Sequence, residues 1–282
     1  MNHPRRSAVL LVTAFLLAGA ALPVAASAPL KYVALGDSSA SGPLIPDQID
    51  QRCLRSDRNW PHVLTGLLRA ALVDVTCSGA RTTDLAGRQS GVVAPQFDAL
   101  RRDTDLVTIA IAANDIAMYE AFTACATPAP PPVPAGPTCR QKSTVNGVDK
   151  YATRTAATAP KVGAALEEIH RRSPNARVVV VGYLTYWRAG GCYPTDPYLP
   201  ADADYLQSRM DQLAAMLVQQ AKAHNASFVD IRQPSADHGL CEVPARRWLE
   251  GAAPASTTYP YHPNAAGMAA AAGIIAGVAR GR

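Results

Sequence analysis

Charge and aromatic residues are scarce in this chain. Asp, Glu, Lys and Arg make up 17% of its 282 residues, and aromatics only 6%. No block of Lys and Arg is interleaved with aromatics, so a nucleic-acid partner is not expected. There is no His-Glu-x-x-His, no Cys-x-x-Cys and no cluster of carboxylates. Neither a metal site nor a cofactor is therefore expected. The chain also lacks an internal repeat and any linker that would divide it. Its one nearly unbroken apolar run near the start, residues 8–18, is short for a membrane span of roughly 20 residues.

That run follows Arg5 and Arg6 and leads into small residues through Ala28. This is the layout of a secretory signal peptide. Residues 1–28 are assigned to it, and residues 29–282 to one domain. Cleavage after Ala26 is favoured, because a cut after Ala28 would leave Pro29 next to it. The arginine pair leaves the export route open. No cysteine lies near the cleavage region, which argues against a lipid anchor. The expected location is extracellular, without a stable membrane anchor. The formal charge of +5 includes Arg5 and Arg6, so the mature chain is only mildly basic. At about 255 residues it has the length of a single α/β domain and can bury a sizeable core. A monomer is expected.

Six cysteines, Cys53, Cys77, Cys125, Cys139, Cys192 and Cys241, all lie beyond the signal segment. An even count in a secreted chain implies disulfides. The spacing leaves many pairings open, of which the sequential one is the simplest. A Cys125–Cys139 bridge would close a loop that holds the proline-rich stretch 127–134, which cannot pack as helix or strand.

Five short apolar segments alternate with helical patterns. Residues 32–35, 72–76, 105–112, 177–183 and 227–231 read as strands. Residues 60–71, 95–100, 203–224 and 264–280 read as helices, as does the stretch through Ala124. Residues 148–172 are also helical, with a break expected at Pro160. In 60–71 the apolar face is assigned to Val63, Leu67 and Leu68, with Leu64 as a further candidate. The alternation predicts an α/β fold with a parallel sheet and helices on both faces.

Candidate chemistry collects where strands stop. Leu35-Gly36-Asp37-Ser38-Ser39-Ala40-Ser41-Gly42 follows the first strand, Cys77-Ser78-Gly79-Ala80 the second, and Ala113-Asn114-Asp115 the third. Taken alone, each is an ordinary turn composition. Parallel strands, however, bring these ends to one edge, where open α/β sheets bind ligands. Acyl transfer needs a nucleophile, a base, and donors aimed at an oxyanion. Ser38 can be the nucleophile, and the Ser38 and Gly79 N–H groups and the Asn114 amide the donors. The base must be a histidine or a group of similar pKa. His62, His170 and His224 sit in or at the ends of helices. His238 is a rival. His262, in the rigid turn Tyr259-Pro260-Tyr261-His262-Pro263-Asn264, is the better placed.

With these blocks in order, the chain resembles the SGNH hydrolases, also called GDSL esterases/lipases, and more narrowly their secreted actinobacterial branch. The matching blocks are Gly36-Asp37-Ser38-Ser39, Gly79, Ala112-Ala113-Asn114-Asp115 and His262-Pro263-Asn264-Ala265-Ala266-Gly267. The resemblance covers nearly the whole mature chain. It implies a three-layer, flavodoxin-like fold around a mostly five-stranded parallel sheet. It also implies sequential disulfides Cys53–Cys77, Cys125–Cys139 and Cys192–Cys241. In function it implies a serine esterase or lipase that forms an acyl-enzyme on an ester or lipid substrate.

Two positions depart from the family pattern. Ala112 stands where glycine is usual. Tyr259 stands where an aspartate usually orients the histidine, and no carboxylate lies between Glu250 and His262. The expectation is that a carbonyl of Tyr259 or Pro260 holds His262 through Nδ1; Asp237 and Glu242 are the rivals for that role. Competing functional readings are a phospholipase A or a polysaccharide deacetylase with the same site, and a non-catalytic binder on a decayed hydrolase fold. The proline loop 126–138 and the segment Tyr183-Leu184-Thr185-Tyr186-Trp187 are candidates to shape the substrate trough.

Overall fold

The strands of the central sheet are β1 (Leu30–Gly36), β2 (Ala70–Asp74), β3 (Leu106–Ala110), β4 (Arg177–Val181) and β5 (Ser227–Val229). They form one parallel sheet in the order β2-β1-β3-β4-β5. This 2-1-3-4-5 order is that of flavodoxin-like doubly wound sheets. The computed structural model describes residues 28–127 and 136–281. The assigned signal segment, save Ala28, and most of the proline-rich stretch lie outside the described residues.

The centre of the sheet is apolar because both of its faces are covered. Every residue of β3 is buried, and so are all four valines of β4. The principal helices are α1 (Trp60–Leu68), α2 (Met118–Cys125), α3 (Lys150–Arg172), α4 (Pro200–Ala223) and α5 (Ala265–Ala279). α1 packs on α5, and α3 on α4. The stripe Leu206, Met210, Leu213, Leu217 and Ala221 of α4 is buried, as its spacing predicts. Among the described residues, no helix is long and apolar enough to cross a membrane.

Four local expectations are corrected. α3 runs through Pro160 without a break. Pro160 is exposed, and burial of Tyr151, Val162, Leu166 and Ile169 along the opposite face outweighs its local cost of about 3 kcal/mol. α1 ends at Leu68, because Arg69 turns into the left-handed region at φ 53° and β2 begins at once. Its buried residues are Trp60, Pro61 and Leu64, while Leu67 is 42% exposed. Residues 95–100 hold only a 3₁₀ turn. Finally, α3 is preceded by an antiparallel hairpin, Thr144–Val145 with Val148–Asp149. Its turn residues, Asn146 and Gly147, have φ of 50° and 77°. Asn-Gly is the strongest short hairpin signal, and the sequence reading passed over it.

The strand that leads to the site ends in a forced close approach. Gly36 has φ +149°, and a Cβ there would lie 2.6 Å from the Ala110 carbonyl oxygen. Buried Gln96 clamps the same residue, accepting from the Gly36 N–H at 2.8 Å and donating to its carbonyl at 2.9 Å. Gly36→Ala is therefore expected to destabilise the protein by about 3 kcal/mol. Urea denaturation measures this; an unchanged midpoint would contradict the packing described.

Candidate active site

Ser38 opens a single helical turn, Ser38–Ser41, directly after β1. Asp37 caps that turn, accepting from the Ser39 N–H at 2.9 Å and the Ser39 hydroxyl at 2.8 Å. Gly42, at φ 74°, ends it. A strand feeding straight into a one-turn helix leaves Ser38 at the carboxyl edge of the sheet.

His262 arrives from the opposite end of the chain. Its Nε2 lies 2.7 Å from Ser38 Oγ, and its Nδ1 lies 2.8 Å from the Pro260 carbonyl oxygen. A carbonyl can only accept, so Nδ1 carries the proton and Nε2 presents a lone pair to the serine hydroxyl. Burial lowers the His262 pKa to about 4, against the opposing pull of the Pro260 carbonyl. The ring is thus neutral over most of the pH range.

The loop that holds His262 is pinned from several sides. The His262 N–H donates to the Tyr259 carbonyl, the Glu250 N–H to the His262 carbonyl, and the Tyr261 N–H to the Glu250 carbonyl. The Glu250 side chain, 1% exposed, accepts from Asn264 Nδ2, the Ala255 N–H and the Ser256 hydroxyl. Burial raises its pKa, but these hydrogen bonds and nearby Arg247 outweigh that and hold it below the usual carboxylate range. Asn264 in turn caps α5 through the Gly267 N–H. Where an aspartate is usual, the Tyr259 ring stands edge-on to His262, with centroids 5.5 Å apart.

Hydrogen bonds also join the strand-end loops. The Tyr183 hydroxyl donates to Asp37 at 2.7 Å and accepts from the Ala113 N–H at 3.1 Å. Burial pushes Asp37 up to about 6, against the hydrogen bonds from Tyr183 and Ser39. Asn114 Nδ2 donates to the Ala80 carbonyl at 2.9 Å, leaving one amide hydrogen for a ligand. Asp115 accepts from the Thr82 N–H and hydroxyl. The Ser38, Gly79 and Asn114 loops are therefore one connected unit.

A cavity of about 40 Å³ opens beside Ser38, bounded by Asn114, Tyr119, Phe122, Tyr186, Tyr261 and His262 among others. Ser38, Asn114 and His262 share it. Gly79 does not line it; it is exposed at the neighbouring turn, with φ +79°. Tyr183 and Tyr186 reach this cavity, whereas Trp187 is buried with its Nε1 on Asp196.

The rival histidines stand elsewhere. His238 stacks on Trp248 and pairs with the Arg246 carbonyl. His62 meets Asn59, and His170 the carbonyl of His224. Asp237 and Glu242 do not reach His262; Glu242 faces Arg188 and Arg246. Cysteines 53 and 77, 125 and 139, and 192 and 241 are joined as disulfides. Among the described residues, no group of His, Cys, Asp and Glu could hold a metal ion. The sequence reading missed Tyr183 as a brace and Glu250 as an anchor. Glu250 stands 14 residues before Asn264, a separation that carries no local signature.

Ala112 sits fully buried at φ +107°, a conformation that suits glycine. Ala112→Gly is expected to raise stability by about 1 kcal/mol, relief of strain exceeding the added chain entropy. A thermal melt that shifts downward would contradict this.

The GDSL-like Lipase/Acylhydrolase family model matches residues 34–270. Lipase 2 of Streptomyces coelicolor is 37% identical over 253 residues, 88% of this chain and 85% of that protein. A lipase of Streptomyces rimosus is 30% identical over 277 residues, covering 93% of this chain and 92% of its own length. Among solved structures, the extracellular lipase of Streptomyces rimosus has a TM-score of 0.67 at 25% identity, covering 87% of this chain and 98% of that one. Phospholipase A1 of Streptomyces albidoflavus has the same fold, with a TM-score of 0.67 at 23% identity, over 88% of this chain and 98% of that one. The chain, with its strand-end serine and loop histidine on a 2-1-3-4-5 sheet, belongs to the GDSL-like lipase/acylhydrolase family of ester-hydrolysing enzymes.

Proposed function

We propose that this protein is a secreted serine esterase or lipase that cleaves carboxylic esters through an acyl-enzyme on Ser38. The observation that carries this reading is the line Ser38 Oγ, His262 Nε2, His262 Nδ1, Pro260 carbonyl, with contacts of 2.7 and 2.8 Å at its two hydrogen bonds. Export as a 1–28 signal peptide would require fits the three disulfides, which persist in oxidising compartments, and the extracellular lipase among the structural relatives.

In the first half-reaction Ser38 Oγ attacks the ester carbonyl while its proton passes to His262 Nε2. The oxyanion is met by the Ser38 N–H and the remaining hydrogen of the Asn114 amide, both on residues that line the cavity, with the Gly79 N–H, at the neighbouring turn, as the third proposed donor. Collapse of the tetrahedral adduct breaks the C–O bond, and His262 returns the proton to the leaving alkoxide. Water then attacks the acyl-enzyme by the same steps, with His262 as base. Pro260 fixes the tautomer of His262, the part an aspartate plays in a triad. A neutral carbonyl stabilises the imidazolium less than a carboxylate would, so the burden on the oxyanion donors is larger.

The cavity accommodates the first carbons of an acyl chain, and the remainder passes over the rim at half-exposed Tyr119. Among the described residues, Asp37 is the one acidic side chain that lines it, and the His262 ring is neutral, which suits an uncharged ester carbonyl and an apolar acyl group. The names lipase and phospholipase A1 among the relatives favour lipid esters as the substrate class.

Ser38→Ala is expected to lower kcat/KM on a soluble short-chain ester by about 10⁴-fold or more, with the fold unchanged by circular dichroism. Activity within tenfold of wild type would reject Ser38 as nucleophile. His262 must be neutral to act as base, so kcat/KM should hold from neutral pH downward and fall through a midpoint at about 4. A midpoint near the ordinary histidine value of about 6.5 would mean that the ring is solvated or paired with a carboxylate.

A further inference from the structure

The hairpin before α3 exposes two apolar side chains to solvent. Val145 is 70% exposed and Val148 is 58% exposed. They are a directly paired couple across the hairpin, so both valines stand on the same side of it. Neither contributes to the core, and the tight Asn146-Gly147 turn holds them forward rather than letting them fold back.

The surroundings are cationic. Arg140 and Lys142, on the short helix Cys139–Ser143, and Lys150, at the start of α3, are all exposed. Between residues 140 and 150 the only carboxylate is Asp149. It is turned inward, capping α3 through the Tyr151 and Ala152 N–H groups and accepting from the Tyr205 hydroxyl, with Arg209 at 3.6 Å. Within residues 140–150 the exposed charged side chains are therefore all cationic.

The hairpin is also tied to the wall of the active-site cavity. Cys139 is bonded to Cys125, the last residue of α2. One turn into α3, Arg154 reaches Glu120 of α2 at 3.9 Å. Glu120 is the neighbour of Tyr119, which lines the cavity and is 37% exposed at its rim.

We infer that this hairpin docks the enzyme on anionic lipid surfaces, inserting Val145 and Val148 between headgroups while Arg140, Lys142 and Lys150 lie at phosphate level. A protein partner is disfavoured, since two-residue strands offer far less than the roughly 1,000 Å² of a specific interface. Shallow insertion needs only an apolar tip with cations around it. The inference rests on the lipid-ester reading for its purpose, but its test is independent of catalysis.

Vesicle co-sedimentation is measured in the Ser38→Ala background, so that the lipid is not consumed. Vesicles of phosphatidylcholine alone are compared with vesicles containing phosphatidylglycerol. Binding is expected to be much stronger with phosphatidylglycerol. Val145→Ser/Val148→Ser should weaken it about tenfold, and Arg140→Gln/Lys142→Gln/Lys150→Gln about a hundredfold, near fivefold per cation. Both sets of changes, made in the otherwise wild-type enzyme, should leave hydrolysis of a soluble short-chain ester within twofold of wild type. Binding that ignores phosphatidylglycerol, or that survives both sets of changes, overturns the inference. Vesicle binding with no hydrolysis of any ester by the wild-type enzyme would instead overturn the proposed function and leave the docking surface standing.

Discussion

Burying an imidazole without a carboxylate partner sets the electrostatic conditions of this site. An unpaired buried charge is costly, so the group stays neutral instead. At His262 that cost appears as a pKa lowered to about 4. The Pro260 carbonyl satisfies Nδ1 without adding charge, and the Ser38 hydroxyl satisfies Nε2. The resting ring is therefore hydrogen-bonded at both nitrogens and uncharged. In the proposed mechanism, charge arises there only when a proton leaves Ser38, which is the moment at which donors aimed at an oxyanion contribute most.

Such an arrangement tolerates little positional error, and the fold limits that error from both sides. On the serine side, Gly36 presses against Ala110 and Gln96 clamps the strand end. On the histidine side, Glu250 is buried under Asn264, Ala255 and Ser256, and its backbone brackets His262. Tyr183 then joins Asp37 to Ala113. The carboxylate absent at position 259 has thus not simply vanished from the region. Glu250 braces the loop from behind, where it positions the ring's backbone rather than touching the ring.

Much of this was legible in the sequence, for identifiable reasons. The continuous apolar runs at 105–112 and 177–183 are readable because strands buried on both faces need no alternation, and their order with the helices implies a parallel sheet. That Ser38, Asn114 and His262 meet at one sheet edge was legible from strand ends gathered by a parallel sheet and from the family blocks in order; taken alone, each stretch is ordinary turn composition. A backbone carbonyl at His262 was expected from the family resemblance, because no carboxylate lies between Glu250 and His262. Tyr183, Gln96 and Glu250 were not readable as braces. Tyr183 meets Asp37 across 146 positions and Gln96 meets Gly36 across 60, and neither contact leaves a mark in its own neighbourhood. Pro160 misled because local propensity gave way to burial of the helix face. Leu67 misled because a short helix with apolar residues on several sides does not declare which of them turns inward.

The central claim is that Ser38 is activated by His262 with only a backbone carbonyl behind it. Intact-mass spectrometry after treatment with a fluorophosphonate tests it without a choice of substrate. The account predicts one adduct on the wild-type protein and none on Ser38→Ala. A folded, disulfide-bonded wild-type protein that takes up no adduct would contradict it.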